Sequence, residues 1–158
     1  MKKKLIGFIG AGNMAGAIIG GIRRAGLYED SQLLVYDVNP QKIEQMEKMG
    51  LRVAASAADL VQNCDFVFLA VKPQNFEDVL GQISASGSQK TVFVTIAAGI
   101  STSYIRNRTR EDCRVVRAMP NTPLLLGMGA TALCRTENVE DGSFEEVKKI
   151  FETSGIVE

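Results

Sequence analysis

An α/β fold with a doubly wound, mostly parallel sheet and helices on both faces is predicted by three features of this sequence. These are an apolar run that breaks into closely spaced glycines, apolar strands alternating with amphipathic helices, and an acidic residue closing the second strand. The first is Leu5-Ile6-Gly7-Phe8-Ile9-Gly10-Ala11-Gly12-Asn13-Met14-Ala15-Gly16, which reads as strand, tight turn and helix. Gly10 lets the backbone reverse, and Gly12, without a Cβ, lets a bulky ligand approach the main chain. Ala15 keeps the helix close to the strand, and Gly16 beside it adds room. A helix opening at Asn13 presents unpaired N–H groups and the positive end of its dipole, which suits a diphosphate. The second and third features follow at Gln32 to Asp37, an apolar strand ending in a carboxylate at the distance expected for a dinucleotide site.

Each later element has its own signal. Met14, Ile18, Ile22 and Ala25 recur at helical spacing on the sheet-facing side of the first helix, and Gly26 stops it. Asp37 can accept hydrogen bonds from an adenine-ribose 2′-OH, which favours NAD, or can act as a helix cap or turn acid. The turn Asn39-Pro40-Gln41-Lys42 offers an amide and a cation where a 2′-phosphate could be held, so NAD and NADP both stay open. Pro40 to Met49 is a helix with Pro in its first turn and Gly50 past its end, followed by a strand at Leu51 to Ala54. Ser56-Ala57-Ala58-Asp59 resembles a capping box and opens a short helix. Phe66 to Ala70 is a strand of the kind buried on both faces, and it exits into Val71-Lys72-Pro73. Lys72 could meet a ribose hydroxyl or phosphate, or be a solvated lysine before a proline.

Gln74 to Ile83 reads as a helix, Ser84 to Ser88 as a connection, and Thr91 to Ile96 as the fifth strand. Its exit, Ala97-Ala98-Gly99, is nearly free of side chains and leaves space for a flat ring. Ser101 caps a short basic helix ending near Arg108. The strand Arg114 to Ala118 leads into Met119-Pro120-Asn121-Thr122-Pro123, a rigid polar loop suited to holding a ligand. Ala130 to Cys134 is a further strand, Phe144, Val147, Ile150 and Phe151 form a helical core stripe, and Gly155 to Val157 begins an apolar strand. This ending suggests the first domain of a longer enzyme.

The 158 residues, 46% hydrophobic, suffice for one domain with a core. Eighteen basic and eighteen acidic residues cancel, so no general field attracts nucleic acid or an anionic membrane. Met1-Lys2-Lys3-Lys4 leads into no secretory or membrane-spanning segment and reads as a solvated flank. Cys64, Cys113 and Cys134, an odd number without a Cys-x-x-Cys pair, read as buried free thiols of a reducing cytoplasm. With no histidine, the Ser-His-Asp and Cys-His routes and imidazole metal sites are excluded. The chemistry must then come from a cofactor, with no metal expected and no catalytic residue assigned in this chain.

Four segments taken together resemble pyrroline-5-carboxylate reductase along essentially the whole chain. They are Phe8 to Ala15, Phe68-Leu69-Ala70-Val71-Lys72-Pro73, Ala97-Ala98-Gly99-Ile100, and Arg117-Ala118-Met119-Pro120-Asn121-Thr122-Pro123. The resemblance implies hydride transfer from NADPH or NADH, with NADPH preferred, to 1-pyrroline-5-carboxylate, giving proline. Residues 1–158 would be the Rossmann-like cofactor domain. Gly10, Ala11, Gly12, Asn13, Met14 and Ala15 would hold the diphosphate, and Asn39 would lie near the adenosine 2′-phosphate. Ala70, Val71, Lys72 and Pro73, with Ala97, Ala98 and Gly99, would flank the nicotinamide ribose, and Asn121 would join the site. It also implies a following all-helical domain, absent here, that makes the homodimer or higher oligomer and most of the substrate pocket, so this chain alone would bind cofactor and turn over little. The alternatives are a β-hydroxyacid dehydrogenase-like or other NADP-dependent reductase, against which the Met119 to Pro123 segment argues, and a non-catalytic dinucleotide-binding regulatory protein.

Overall fold

The computed structural model describes residues 4–86, 90–97, 99–120 and 129–157. Their elements run β1 (Ile6–Ile9), α1 (Asn13–Ala25), β2 (Leu33–Tyr36), α2 (Pro40–Lys48), β3 (Arg52–Val53), α3 (Ala57–Asn63) and β4 (Phe66–Leu69). There follow α4 (Phe76–Ile83), β5 (Val92–Thr95), α5 (Thr102–Arg108), β6 (Arg114–Pro120), β7 (Gly129–Arg135), α6 (Asp141–Glu152) and β8 (Gly155–Val157). Short 3-10 turns occupy Asp30–Gln32 and Pro73–Asn75. The lysine flank at Lys2 and Lys3 and part of the Ser84 to Ser88 connection lie outside the described residues.

The strands form one eight-stranded sheet in the order β3-β2-β1-β4-β5-β6-β7-β8. Every neighbouring pair is parallel except β6 with β7. The chain leaves β1 toward β2 on one side and returns to place β4 on the other, so the crevice at the carboxyl ends of β1 and β4 is the switch point where open α/β sheets bind ligands.

Alternation along the strands makes the core two-sided. Ile6, Phe8, Phe66, Phe68, Val92 and Val94 pack with Ile18, Ile19 and Ile22 of α1 and Val147, Ile150 and Phe151 of α6. Ile9, Val67, Leu69, Phe93 and Val115 pack on the opposite face with Leu60 of α3, Phe76 and Leu80 of α4 and Ile105 of α5. This explains why the central strands read as unbroken apolar runs: both faces are covered by helices. Phe8 stacks on Phe68 at 4.9 Å and Phe68 meets Phe151 at 5.8 Å, tying the first strand to the last helix.

Local signals set most boundaries. Gly26 ends α1 at φ 64°, and its N–H bonds the Arg23 carbonyl. Asn39 caps α2 by accepting the Gln41 N–H, with Pro40 at the first position. Ser56 and Ser101 accept the N–H groups of Asp59 and Tyr104 to cap α3 and α5. Four expectations need correction. Ala25 is exposed, because α1's buried stripe is Ala15, Ile18, Ile19 and Ile22. A Cβ at Gly16 would meet nothing within 4 Å, so no close packing depends on it. The α4 helix starts at Phe76, because Pro73 first sets a 3-10 turn. Cys134 is exposed, since β8 pairs only with Gly129 to Thr131 and leaves the far end of β7 uncovered, while Cys64 and Cys113 are buried.

Candidate functional site: a dinucleotide cleft at the carboxyl edge

The exits of β1, β2, β4 and β5 enclose a cleft of about 760 Å³. Gly10, Gly12, Asn13 and Met14 line it from the first turn, Asp37 and Asn39 from the second, Ala70 to Pro73 from β4, and Ala97 from β5. The sequence-predicted residues are thus brought together from four separate segments. Ala11 and Ala15 are buried behind the turn rather than facing the cleft. Gly99 is exposed at the β5 exit outside the lining, and Ala98 and Asn121 lie outside the described residues.

The glycine turn is held by its neighbours. Gly10 N–H donates to the Tyr36 carbonyl at 2.8 Å, and Ala70 N–H donates to the Ile9 carbonyl at 2.8 Å, so β1 is fixed to β2 and β4 where it ends. Gly10 sits at φ +103°, and a Cβ there would lie 2.6 Å from the Ala70 carbonyl oxygen. Only glycine fits. Gly12 differs: its φ is −83°, and a Cβ there would meet only the Lys42 ammonium, at 3.9 Å. The space over Gly12 is open to the cleft.

Beyond it, α1 begins without a side-chain cap and without an acid in its first turn. Its first ladder bond runs from Gly16 N–H to the Gly12 carbonyl at 2.9 Å, and no described acceptor meets the N–H groups of Asn13, Met14 and Ala15. Of these residues Asn13 and Met14 line the cleft, where two donors, a positive dipole end and an open approach suit an anion.

Asp37 is placed differently from its simplest reading. Its Oδ2 accepts the Ala11 N–H at 2.8 Å and its Oδ1 accepts the Asn39 N–H at 2.8 Å. The carboxylate braces the glycine turn against the start of α2, which is the turn-acid role, and takes the Ala11 amide out of the set available to a diphosphate. Each oxygen keeps a further lone pair. Asn39 spends its Oδ1 on the Gln41 N–H at 2.9 Å and keeps its Nδ2. Lys72 is exposed at the cleft margin.

Three contributors escape a sequence reading. Val38 is 83% exposed and lines the cleft; an apolar side chain inside the polar turn Asp37 to Pro40 is the signal that could have found it. Asp78 and Gln82 of α4 reach the same cleft, and nothing in a helical spacing marks them. At the end of β5, Thr95 Oγ1, and opposite it in the middle of β6, Arg117 Nε, are buried without hydrogen-bond partners.

Residues 5–99, more than half of the chain, match the family described as NADP oxidoreductase, coenzyme F420-dependent. The chain belongs to this family. It is 36% identical over 159 residues to the pyrroline-5-carboxylate reductase of Escherichia coli K12, a match covering 100% of this chain and 59% of the relative. The solved pyrroline-5-carboxylate reductase from Coxiella burnetii superposes with a TM-score of 0.92 at 31% identity, covering 99% of this chain and 58% of that one. The Plasmodium falciparum pyrroline carboxylate reductase, solved with NADP bound, gives 0.87 at 28% identity, over 100% of this chain and 58% of that one. This member of the family therefore spans a little over half the length of the relatives it matches, with its glycine turn inside the matched segment.

Proposed function

We propose that this chain is the cofactor-binding part of an enzyme that reduces 1-pyrroline-5-carboxylate to proline with NADPH or NADH. The observation that carries the reading is the pair of unpartnered amides at Asn13 and Met14, which line the cleft beside the open space over Gly12, in a chain 36% identical to such a reductase. The NADP bound in the Plasmodium relative supports the cofactor.

The diphosphate would rest on these amides, with Asp37 bracing the turn and offering its remaining lone pairs to the adenine ribose. Asn39 Nδ2 stands where a 2′-phosphate would be met, and exposed Val38 offers an apolar face to the base. Ala70 to Pro73 and Ala97 to Gly99 would leave room for the nicotinamide ribose and ring. The cofactor, when bound, supplies the hydride. The chain's own part is to fix the donor's position, and orientation of two bound reactants is worth on the order of 7–11 kcal/mol. The relatives' additional length fits a following helical domain that completes the substrate pocket and a homo-oligomer, acting in the cytoplasm on a small molecule rather than on nucleic acid or membrane. No helix among the described residues is long and apolar enough to cross a membrane.

The test follows cofactor absorbance in protein extended to its relatives' length, with pyrroline-5-carboxylate in one assay and hydroxyisobutyrate in the other. Reduction of the pyrroline supports the reading; oxidation of the hydroxy acid alone overturns it. The 158-residue chain is expected to bind cofactor with negligible turnover.

A further inference from the structure

We infer that Lys42 is a ligand of the dinucleotide's diphosphate, closing the open side of the glycine turn opposite the α1 amides. The inference rests on the dinucleotide reading above and adds a residue and a rule of selectivity to it. Lys42 lies on α2, in the helix that follows the ribose-side turn, where sequence spacing places it next to Asn39 and a 2′-phosphate. The structure sends it elsewhere. Its ammonium is 3.9 Å from the Cβ position of Gly12, and it is the one atom a Cβ there would meet.

The side chain is half-buried in the cleft and forms no ion pair or hydrogen bond with any described residue. Asp37 lines the same cleft, yet its oxygens accept the Ala11 and Asn39 amides and no ion pair joins it to Lys42. A half-buried cation without a described partner, in the same cleft as the unpartnered N–H groups of Asn13 and Met14, calls for an anion between them. The diphosphate is common to NADH and NADPH, whereas the 2′-phosphate belongs to NADPH alone. Lys42 should therefore strengthen both cofactors by the same factor and leave the choice between them to Asn39 and Asp37.

The experiment titrates NADH and NADPH by calorimetry into the chain and its Lys42→Met and Lys42→Arg variants, with folding checked by circular dichroism. The expected result is a loss of about ten- to a hundredfold for both cofactors in Lys42→Met, a weaker dependence on salt, and recovery of most of the affinity in Lys42→Arg. A loss confined to NADPH would overturn the inference by making Lys42 a reader of the 2′-phosphate, and unchanged affinities would overturn it by making Lys42 a solvated side chain. Failure of the unaltered chain to bind either cofactor would instead overturn the dinucleotide reading, and this one with it.

Discussion

Gly10 and Gly12 stand two residues apart in the same turn, yet the structure gives them opposite jobs, and paired substitutions separate these. Alanine at Gly10 would occupy φ +103°, with its Cβ 2.6 Å from the Ala70 carbonyl oxygen. The unfavourable backbone region costs about 1–3 kcal/mol, and relieving an overlap with main chain adds about 1–3 kcal/mol. Gly10→Ala should therefore lose roughly 2–6 kcal/mol, a large part of the ~5–15 kcal/mol that holds a typical domain together. Valine at Gly12 meets none of this, because φ −83° and ψ −163° suit a branched residue and its Cβ finds only Lys42 at 3.9 Å. Its stability cost is limited to a poorer helix cap, about 1 kcal/mol. Urea unfolding gives the first quantity and calorimetric titration with NADPH the second. Gly10→Ala should shift the midpoint strongly, and Gly12→Val should leave the fold nearly intact while abolishing binding. A folded Gly12→Val protein of undiminished affinity, or equal destabilisation by both changes, would refute the assignment of the turn.

Asp37→Ala strands two backbone N–H groups that now share a carboxylate; it should cost about 1–3 kcal/mol in urea unfolding and weaken NADH more than NADPH, whose 2′-phosphate a carboxylate opposes. Unchanged stability would show that the brace is dispensable. Thr95→Val removes a fully buried hydroxyl that has no partner and should raise stability by about 1 kcal/mol; a loss measured by thermal unfolding would mean that the hydroxyl is bonded in solution. Burial, reinforced by the Asp65 carboxylate, pushes the Cys64 thiol from 9.0 up to about 12. Burial raises Cys113, and burial beside Glu146 raises Tyr28. These groups stay neutral when folded and ionise first in the unfolded chain. The Cys64 contribution is therefore complete below pH 9 and is lost progressively between pH 9 and about 12. Unfolding across that range should show stability falling with pH, less steeply in Cys64→Ala, and an equal slope would contradict the burial. At pH 8, thiol-reactive reagents should modify exposed Cys134 well before Cys64 or Cys113.

What the sequence makes legible is local. Strand, glycine turn and helix at Leu5 to Ala25, the caps at Ser56 and Ser101, and the apolar runs of β4 and β5 each follow from neighbours a few residues apart, and each is where its signal puts it, whereas the cap of α2 is Asn39 and not Asp37. Spacing failed where a side chain's partner is remote. Asp37 is recognisable as a strand-end acid, but its bond to Ala11 spans 26 residues and depends on β1 and β2 lying side by side. Lys42 is one residue of a polar turn in sequence, and only the packing of α2 on β2 and β3 brings it to Gly12. The reversed direction of β7 is likewise invisible in Ala130 to Cys134, because parallel and antiparallel pairing demand the same alternation from so short a strand.

The central claim is that the carboxyl-edge cleft takes a dinucleotide with its diphosphate on the start of α1. Amide chemical shifts of the isotopically labelled chain, followed as NADPH is added, test it most directly. The account predicts saturable shifts at Gly12, Asn13, Met14 and Ala15, joined by Val71 and Lys72. Saturable binding with these amides unmoved, and shifts instead at the opposite edge around Asp65 and Arg114, would contradict it.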